Sequence, residues 1–221
     1  MASTLFLIPA FCHQKELFEV LEQLLDCDVL VVDDGSPTPL QGNAHIIRHP
    51  QNKGYGAAQK TGFSFALRHG YERIALVHGD NQYSVEHIQK ALSELSSEIL
   101  LGSRFVQSTS TMPTWRRWGN HVLTTSVNRK FGCNHTDLHT GARIYSKNIL
   151  KKIPYFSFSN DFLFDHQMIL WCIQNKIQIQ EFSIPAKYDH SVSSISVKRS
   201  IIYGFGCIRG ILSSNASHMY K

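Results

Sequence analysis

The stretch VLVVDDGS, Val29 to Ser36, sets four apolar residues directly before two carboxylates and a Gly-Ser turn. An uninterrupted apolar run of this length, closed by turn residues, reads as a strand buried on both faces of a parallel sheet. Two adjacent acids repel one another unless a positive or hydrogen-bonding group engages them. A plain turn needs only Asp34-Gly35 for its bend, so the second acid is the feature to explain. The same pattern recurs on either side. TLFLIPAF (Thr4–Phe11) precedes it, followed by Leu17, Val20, Leu21 and Leu24 at helical spacing. AHIIRH follows as a third strand, then NKGYGAAQKTGFSFALRHG, a glycine turn entering an Ala-rich helix. RIALVHGD is the fourth strand and EILLGSRF the fifth, separated by a helix marked by Val85, Ile88, Leu92 and Leu95 with Ser84 as N-cap.

Strand and helix alternating at this interval predict an α/β fold: a mostly parallel sheet with helices on both faces. Ligands of such sheets gather at the carboxyl ends of the strands. The polar groups fall at those ends: Asp33-Asp34-Gly35-Ser36, His78-Gly79-Asp80 and Gly102-Ser103-Arg104. After Phe105 the pattern changes. VQSTSTMPT reads as a loop, Trp115 to Phe131 as a helix, GARIYS as a short strand and Asp161 to Asn175 as a helix. KIQIQEFSIPAKY alternates, consistent with antiparallel pairing at a sheet edge. The tail from Ser196 carries Ile201, Phe205, Ile208 and Leu212 at helical spacing, with Lys198, Arg199 and Arg209 among them. No linker divides the chain. One domain is expected over 1–221, with a first half to about 105, a second to about 196 and a helical tail.

At 221 residues and 43% hydrophobic, the chain is long enough for one sizeable core. Its apolar windows are far shorter than the ~20 residues that span a bilayer. The start MASTLFLIPAF has no basic region before its apolar run, so no signal peptide is expected. Five scattered cysteines without a CxxC fit reduced thiols and argue against a disulfide framework or a zinc knuckle. A cytoplasmic protein is therefore expected. The net charge of +5 is compatible with phosphate-bearing substrates, a membrane surface or nucleic acid. No run of like charge marks a nucleic-acid tract, and nucleic acid is not expected as a partner. The basic tail has two open readings: contact with an anionic membrane surface, or a packed helix with a solvated face.

Several constellations can carry chemistry. In HGDNQ (His78–Gln82), alternate side chains after a strand point the same way. Asp80, Gln82 and the His78 imidazole can therefore face one cation. Hard divalent cations take one or two carboxylates and leave the other positions to phosphates and water. A polar loop with a strand-end histidine is the plain alternative. NKGYGAAQKTG (Asn52–Gly62) offers backbone N–H groups at a helix N-terminus, where phosphate is favoured, with Lys53 and Lys60 nearby. It matches neither a P-loop nor a dinucleotide fingerprint, and a structural turn explains it equally. Arg104 and Arg143 each suit a bidentate phosphate clamp, or an ion pair. Asp137 precedes the Thr140-Gly141-Ala142 turn before Arg143. In DFLFDHQM, Asp161 and Asp165 lie four apart among Phe162, Leu163 and Phe164. Asp161 is explained as a helix cap. Asp165, in apolar company, is a candidate general base.

These pieces in order, IPAFCHQKEL, VVDDGS, NKGYGAA, VHGDNQYS, GSRF, WRRWGN, DLHTGARIYS, FLFDHQM and EFSIPAKYDHSVSSIS, resemble the inverting family-two glycosyltransferases of the GT-A fold. The likeness is to the branch that includes dolichyl- and polyprenyl-phosphate sugar synthases, and it runs from Ile8 to about Ser196. The resemblance implies a GT-A (Rossmann-like) domain with a small antiparallel portion in its C-terminal third. It implies a nucleotide-sugar donor (UDP- or GDP-linked) and a polyprenyl-phosphate or glycan-hydroxyl acceptor. Pro9, Ala10, Phe11, Asp33 and Asp34 would hold the base and ribose, with Lys53 and Gly54 near the base or diphosphate. The family's metal-binding DxD falls on His78-Gly79-Asp80, with Gln82 trailing, for Mn2+ or Mg2+. His78 stands where the first Asp is usual, and a neutral imidazole suits Mn2+ better than Mg2+. Arg104 and Arg143, with Asp137 beside them, would face phosphates of donor or acceptor. Asp165 falls where a family carboxylate lies near the acceptor. It would be the base for a hydroxyl acceptor, and would only bind or orient a phosphate.

Three other readings were weighed. A response-regulator receiver needs its acidic pair after the first strand, whereas here a strand and helix come before it. A sugar-phosphate nucleotidyltransferase needs a glycine-rich basic loop after strand one, and IPAFCHQKEL supplies none. A GT-A module that binds nucleotide without turnover stays open because of His78.

Overall fold

The computed structural model describes residues 3–106, 112–186 and 197–213. Part of the expected loop at 106–114 and the segment 187–196, where the resemblance ends, fall outside the described residues, as do the side chains of Lys198 and Arg199 in the basic tail.

The chain builds a seven-stranded sheet in the order β3-β2-β1-β4-β6-β5-β7. The strands are β1 (Thr4–Ala10), β2 (Asp28–Asp33), β3 (His45–Arg48), β4 (Arg73–Leu76), β5 (Ile99–Ser103), β6 (Arg143–Ser146) and β7 (Ile179–Ser183). The helices are α1 (Gln14–Glu22), α2 (Tyr55–Arg68), α3 (Val85–Glu94), α4 (Thr114–Phe131), α5 (Lys147–Lys152), α6 (Leu163–Gln174) and α7 (Val197–Ser213). β1 pairs in parallel with β2 and β4, and β2 with β3. β6 runs antiparallel between β4 and β5, so it alone opposes the direction of the sheet.

The continuous apolar runs are explained by burial on both faces. Leu5, Leu7, Leu30, Val32, Ile74 and Leu76 point to one side, where they meet Phe63 of α2 and Phe164 and Met168 of α6. Their neighbours Phe6, Ile8, Val31 and Ala75 point to the other, against Leu17 and Val20 of α1 and Ile88 of α3. The central strands β1, β2 and β4 must therefore be apolar along their buried runs, and an alternating pattern is lost there.

Two expectations are corrected. β7 is an edge strand, but it runs parallel to β5, with Ile99 opposite Ile179 and Ser103 opposite Ser183. Alternation reports one-sided burial, which an edge strand has in either direction, so it carries no information on direction. The helix placed at Asp161–Asn175 begins at Leu163; the Asp161 carboxylate instead accepts from the Phe162 N–H just before it.

Candidate active site

Because β1, β2, β4 and β5 point the same way, their carboxyl ends open together into one cleft of about 1,230 Å³. The cleft is floored by Pro9, Ala10, Phe11 and the His78-Gly79-Asp80 turn, and walled by α2, α4, α6 and α7.

The Asp33-Asp34 pair is explained by what engages it. Asp33 is fully buried and does not reach the cleft. Its oxygens accept from the Ser36 and Leu40 N–H groups, at 2.9 and 3.3 Å, and Arg48 Nε lies 3.3 Å away. Asp34 reaches the cleft wall, but it accepts from the N–H groups of Lys53 (2.9 Å) and Gly54 (2.8 Å) and lies 2.7 Å from His49 Nδ1. The glycine turn read as a phosphate cradle thus already holds an anion, the Asp34 carboxylate. The Ala57 N–H, further in, is taken by the Asn160 carbonyl. Gly54 adopts a φ of +102°, and a side chain there would collide with that same Asn160 carbonyl. Lys60 does not add charge to the cleft. It turns inward, where burial lowers its pKa, and donates to the Phe158 carbonyl and Asn160 Oδ1 at 2.6 and 2.7 Å.

The HGD turn follows β4. Asn81 takes a left-handed conformation (φ 54°), which Asn tolerates, and its side chain donates to Glu19 of α1. This bends the chain so that Asp80 lines the cleft. Asp80 Oδ1 accepts from the Gln82 N–H at 3.1 Å, while Oδ2 has no hydrogen bond among the described residues. His78 is locked in place. Its Nε2 is 2.9 Å from the Tyr55 hydroxyl, its ring meets Tyr83 edge-on, and its Nε2 end abuts Gly141.

Tyr55 also donates to Asp165 Oδ2 at 3.3 Å, and Gln59 donates to Asp165 Oδ1 at 2.7 Å. A carboxylate accepts only, so the direction of the chain is fixed: His78 Nε2–H to Tyr55 O–H to Asp165. Burial, and then the Asp165 charge, push the Tyr55 phenol well above its ordinary pKa, so it stays a neutral donor. Asp165 sits in the first turn of α6, where the helix dipole favours a carboxylate. Arg143 is fully buried and donates to the backbone carbonyls of Asp165 and Thr140, with Nη1 3.8 Å from Asp165 Oδ1. Arg104 pairs with Asp137 through two bonds, Nε–Oδ2 at 2.6 Å and Nη2–Oδ1 at 2.8 Å. Burial raises the Asp137 pKa, but the Arg104 charge and hydrogen bonds outweigh it and hold the carboxyl below its usual range.

Thirteen of the fifteen expected site residues therefore line one cleft: Pro9, Ala10, Phe11, Asp34, Lys53, Gly54, His78, Gly79, Asp80, Gln82, Arg104, Arg143 and Asp165; Asp33 and Asp137 stand behind it. Both arginines are occupied by protein partners. Tyr55, Gln59 and His49 were missed. Tyr55 and Gln59 are four apart on the buried face of α2, a spacing visible in the sequence, but their partner Asp165 lies more than a hundred residues away.

The cleft rim is apolar. Trp115 and Trp118 of α4 and Ile201 of α7 line it and are about half exposed or more. Ile202, Phe205, Ile208 and Leu212 continue the exposed face of α7. None of the described helices is long and apolar enough to cross a membrane.

The sequence profile described as Glycosyl transferase family 2 matches residues 6–154. The chain belongs to glycosyl transferase family 2. Within this family it is 26% identical over 203 residues to a polyprenol monophosphomannose synthase of Mycolicibacterium smegmatis, covering 82% of this chain and 76% of that one. It is 25% identical over 229 residues to a UDP-N-acetylglucosamine–dolichyl-phosphate N-acetylglucosaminyltransferase of Methanococcus voltae, covering 90% of each. Its fold is similar to that of glucosyl-3-phosphoglycerate synthase from Mycobacterium tuberculosis, crystallised with Mn2+, UDP and phosphoglyceric acid. That superposition has a TM-score of 0.75 at 11% identity and covers 99% of this chain and 80% of the other. The family-2 glycosyltransferase has the GT-A fold, as its sequence led one to expect.

Proposed function

We propose that this enzyme transfers a sugar, with inversion, from a UDP- or GDP-sugar to a polyprenyl phosphate held at a membrane surface on its cytoplasmic face. The carrying observation is that one cleft joins the Asp80 carboxylate on its floor to the exposed apolar rim of α4 and α7. A cation-bound nucleoside diphosphate needs the first and an isoprenoid chain the second. The names of the M. smegmatis and M. voltae relatives support the same acceptor class.

The donor set fits a hard divalent cation. Among the described residues, no three His, Cys, Asp or Glu side chains converge at His78–Gln82. Asp80 offers a free carboxylate oxygen, Gln82 an amide, and His78, whose Nε2–H is committed to Tyr55, a lone pair on Nδ1. These groups would hold Mn2+ or Mg2+, which would supply charge neutralisation for the leaving nucleoside diphosphate. Pro9 to Phe11 shape the floor for the base, and Lys53 at the cleft mouth places a positive charge by the diphosphate. A phosphate acceptor is ionised at neutral pH and needs no base. Asp165 is then a positioning residue: through Gln59 and Tyr55 it fixes the wall on which the acceptor phosphate lies.

The test is transfer from a panel of UDP- and GDP-sugars to polyprenyl phosphate in vesicles with Mn2+ or Mg2+, with the product's anomeric configuration read by NMR. An inverted sugar–phosphate diester is expected from one donor. Asp80→Ala should abolish metal-dependent donor binding. Transfer only to glycan hydroxyls would overturn the lipid acceptor. Tight nucleotide binding without turnover on any acceptor would make the protein a binding module.

A further inference from the structure

We propose a second metal site, separate from the donor site, in which His139, His166 and Cys207 bind Zn2+ and clip α7 to the body of the enzyme. The three residues come from distant parts of the chain: the turn before β6, the first turns of α6, and the middle of α7. Their ligating atoms lie within 4.8 Å of one another.

Both imidazoles present an unused nitrogen. His139 Nε2 and His166 Nε2 are buried and have no hydrogen-bond partner. His166 is only 2% exposed and Cys207 fully buried. An orphaned buried polar atom costs about 1–3 kcal/mol, so each of the two rings calls for a compensating partner. The Arg143 charge disfavours added positive charge at both rings, with Asp137 opposing it at His139, so what favours a metal here is the set of groups that orient the ligands. His139 Nδ1 lies 2.8 Å from the Tyr203 hydroxyl, which also bonds the Cys207 sulfur. With Nδ1–H donating to Tyr203, the His139 lone pair is on Nε2, and Tyr203 has its own proton to give to a thiolate. Such outer partners orient the ligands of a metal. The Cys207 carbonyl also faces the His166 ring, and the two imidazoles stack at 5.6 Å, nearly parallel. Burial holds both rings neutral, His166 at about 4.

Two nitrogens and a sulfur select a borderline ion such as Zn2+ over Mg2+ or Mn2+. Zinc–nitrogen and zinc–sulfur bonds of ~2.0–2.3 Å set tetrahedral ligands roughly 3.3–3.7 Å apart, so closure takes about an ångström of side-chain movement. Coordination releases the Cys207 proton to solvent and leaves a fourth position for water. Ser200, Ile201, Tyr203 and Gly204 of α7 line the cleft, so the clip would fix one of its walls.

The experiment loads chelator-stripped full-length protein with Co2+ or Zn2+ in the absence of nucleotide. One Co2+ per chain with thiolate-to-cobalt absorption is expected, and Zn2+ should displace it. The absorption should persist in Asp80→Asn and in Cys12→Ser, which removes the exposed thiol. It should vanish in Cys207→Ala and in His139→Gln. Losing a ligand should weaken binding by more than the roughly 10–100-fold that an outer partner contributes. X-ray absorption at the zinc edge of the wild-type protein needs no variant to fold, and should read one sulfur and two imidazole nitrogens. An all-oxygen shell, no uptake, or cobalt absorption that survives both ligand changes would overturn the site.

Discussion

Gly141→Ala tests whether the His78 slot is as tight as the packing implies. A Cβ at Gly141 would press into three atoms of the His78 ring. The ring has little room to yield, because Tyr55 holds Nε2 at 2.9 Å and Tyr83 meets it edge-on. Overpacking of this kind costs about 1–3 kcal/mol, and loss of the Tyr55 hydrogen bond about 0.5–1.5 more. A central value of ~3 kcal/mol corresponds to roughly 10 °C in Tm for a chain of this size. The assay is urea unfolding of four proteins: wild type, Gly141→Ala, His78→Ala and the double variant. Removing the imidazole first empties the slot, so in the His78→Ala background the methyl should cost less than ~1 kcal/mol. The cycle should therefore show a coupling of about 2 kcal/mol. Equal cost in both backgrounds would mean that His78 is not held against Gly141, and the directed chain from His78 to Asp165 would fall with it.

Arg104→Met leaves Asp137 buried without its cation, and should destabilise the protein by about 3–5 kcal/mol near pH 7. In the wild type the Asp137 pKa is depressed, so its stabilisation is present above the unfolded value of ~4 and lost as pH falls through the lower folded value. In the variant the carboxyl protonates more readily, so the stability gap between the two proteins should narrow on acidification; a gap constant with pH refutes the pairing argument. Asp165→Asn should leave donor Kd unchanged and lower kcat by up to about 10²-fold through misplacement of Tyr55 and Gln59, with the pH–rate profile retaining its shape. Disappearance of the acidic limb would instead make Asp165 a base. Phe205→Asp and Ile202→Asp, at exposed positions, should leave Tm unchanged but raise KM for a long polyprenyl phosphate by roughly 10–100-fold each, the worth of burying one large apolar side chain. A short, water-soluble isoprenyl phosphate should be affected far less; equal effects on both would remove the lipid rim from the mechanism.

Much of this architecture was legible before any coordinates, and the reason is local. VLVV and IALV (Ile74–Val77) are apolar at every position because both sheet faces are covered, and the polar groups that close them had to lie at one end of a parallel sheet. What those groups do there was not legible. Asp34 reads as a nucleotide ligand, yet its partners Lys53 and Gly54 lie about twenty residues away and use their backbone N–H groups, which have no residue signature. Lys60 reads as able to add charge near a phosphate turn, and Arg143 as a phosphate clamp or an ion pair, since a sequence does not tell whether a charge turns inward. Asp165 stood out as an acid among aromatics, but Tyr55 and Gln59, which explain its burial, sit on another helix. The His139–His166–Cys207 cluster has none of the close spacings that mark zinc motifs, because three separate segments supply its members.

The position of β6 has a consequence for dissecting the enzyme. This strand comes from the part of the chain after Phe105 but lies between β4 and β5, both from the part before it. A fragment ending near Phe105 would keep β4 and β5 with an empty lane between them, two unpaired edges where the intact sheet has none. The halves cannot be expressed apart, nor recombined between relatives as modules, without carrying β6 along. On the proposed function, new acceptor specificities in this scaffold would come from α4, α7 and the loops that rim the cleft.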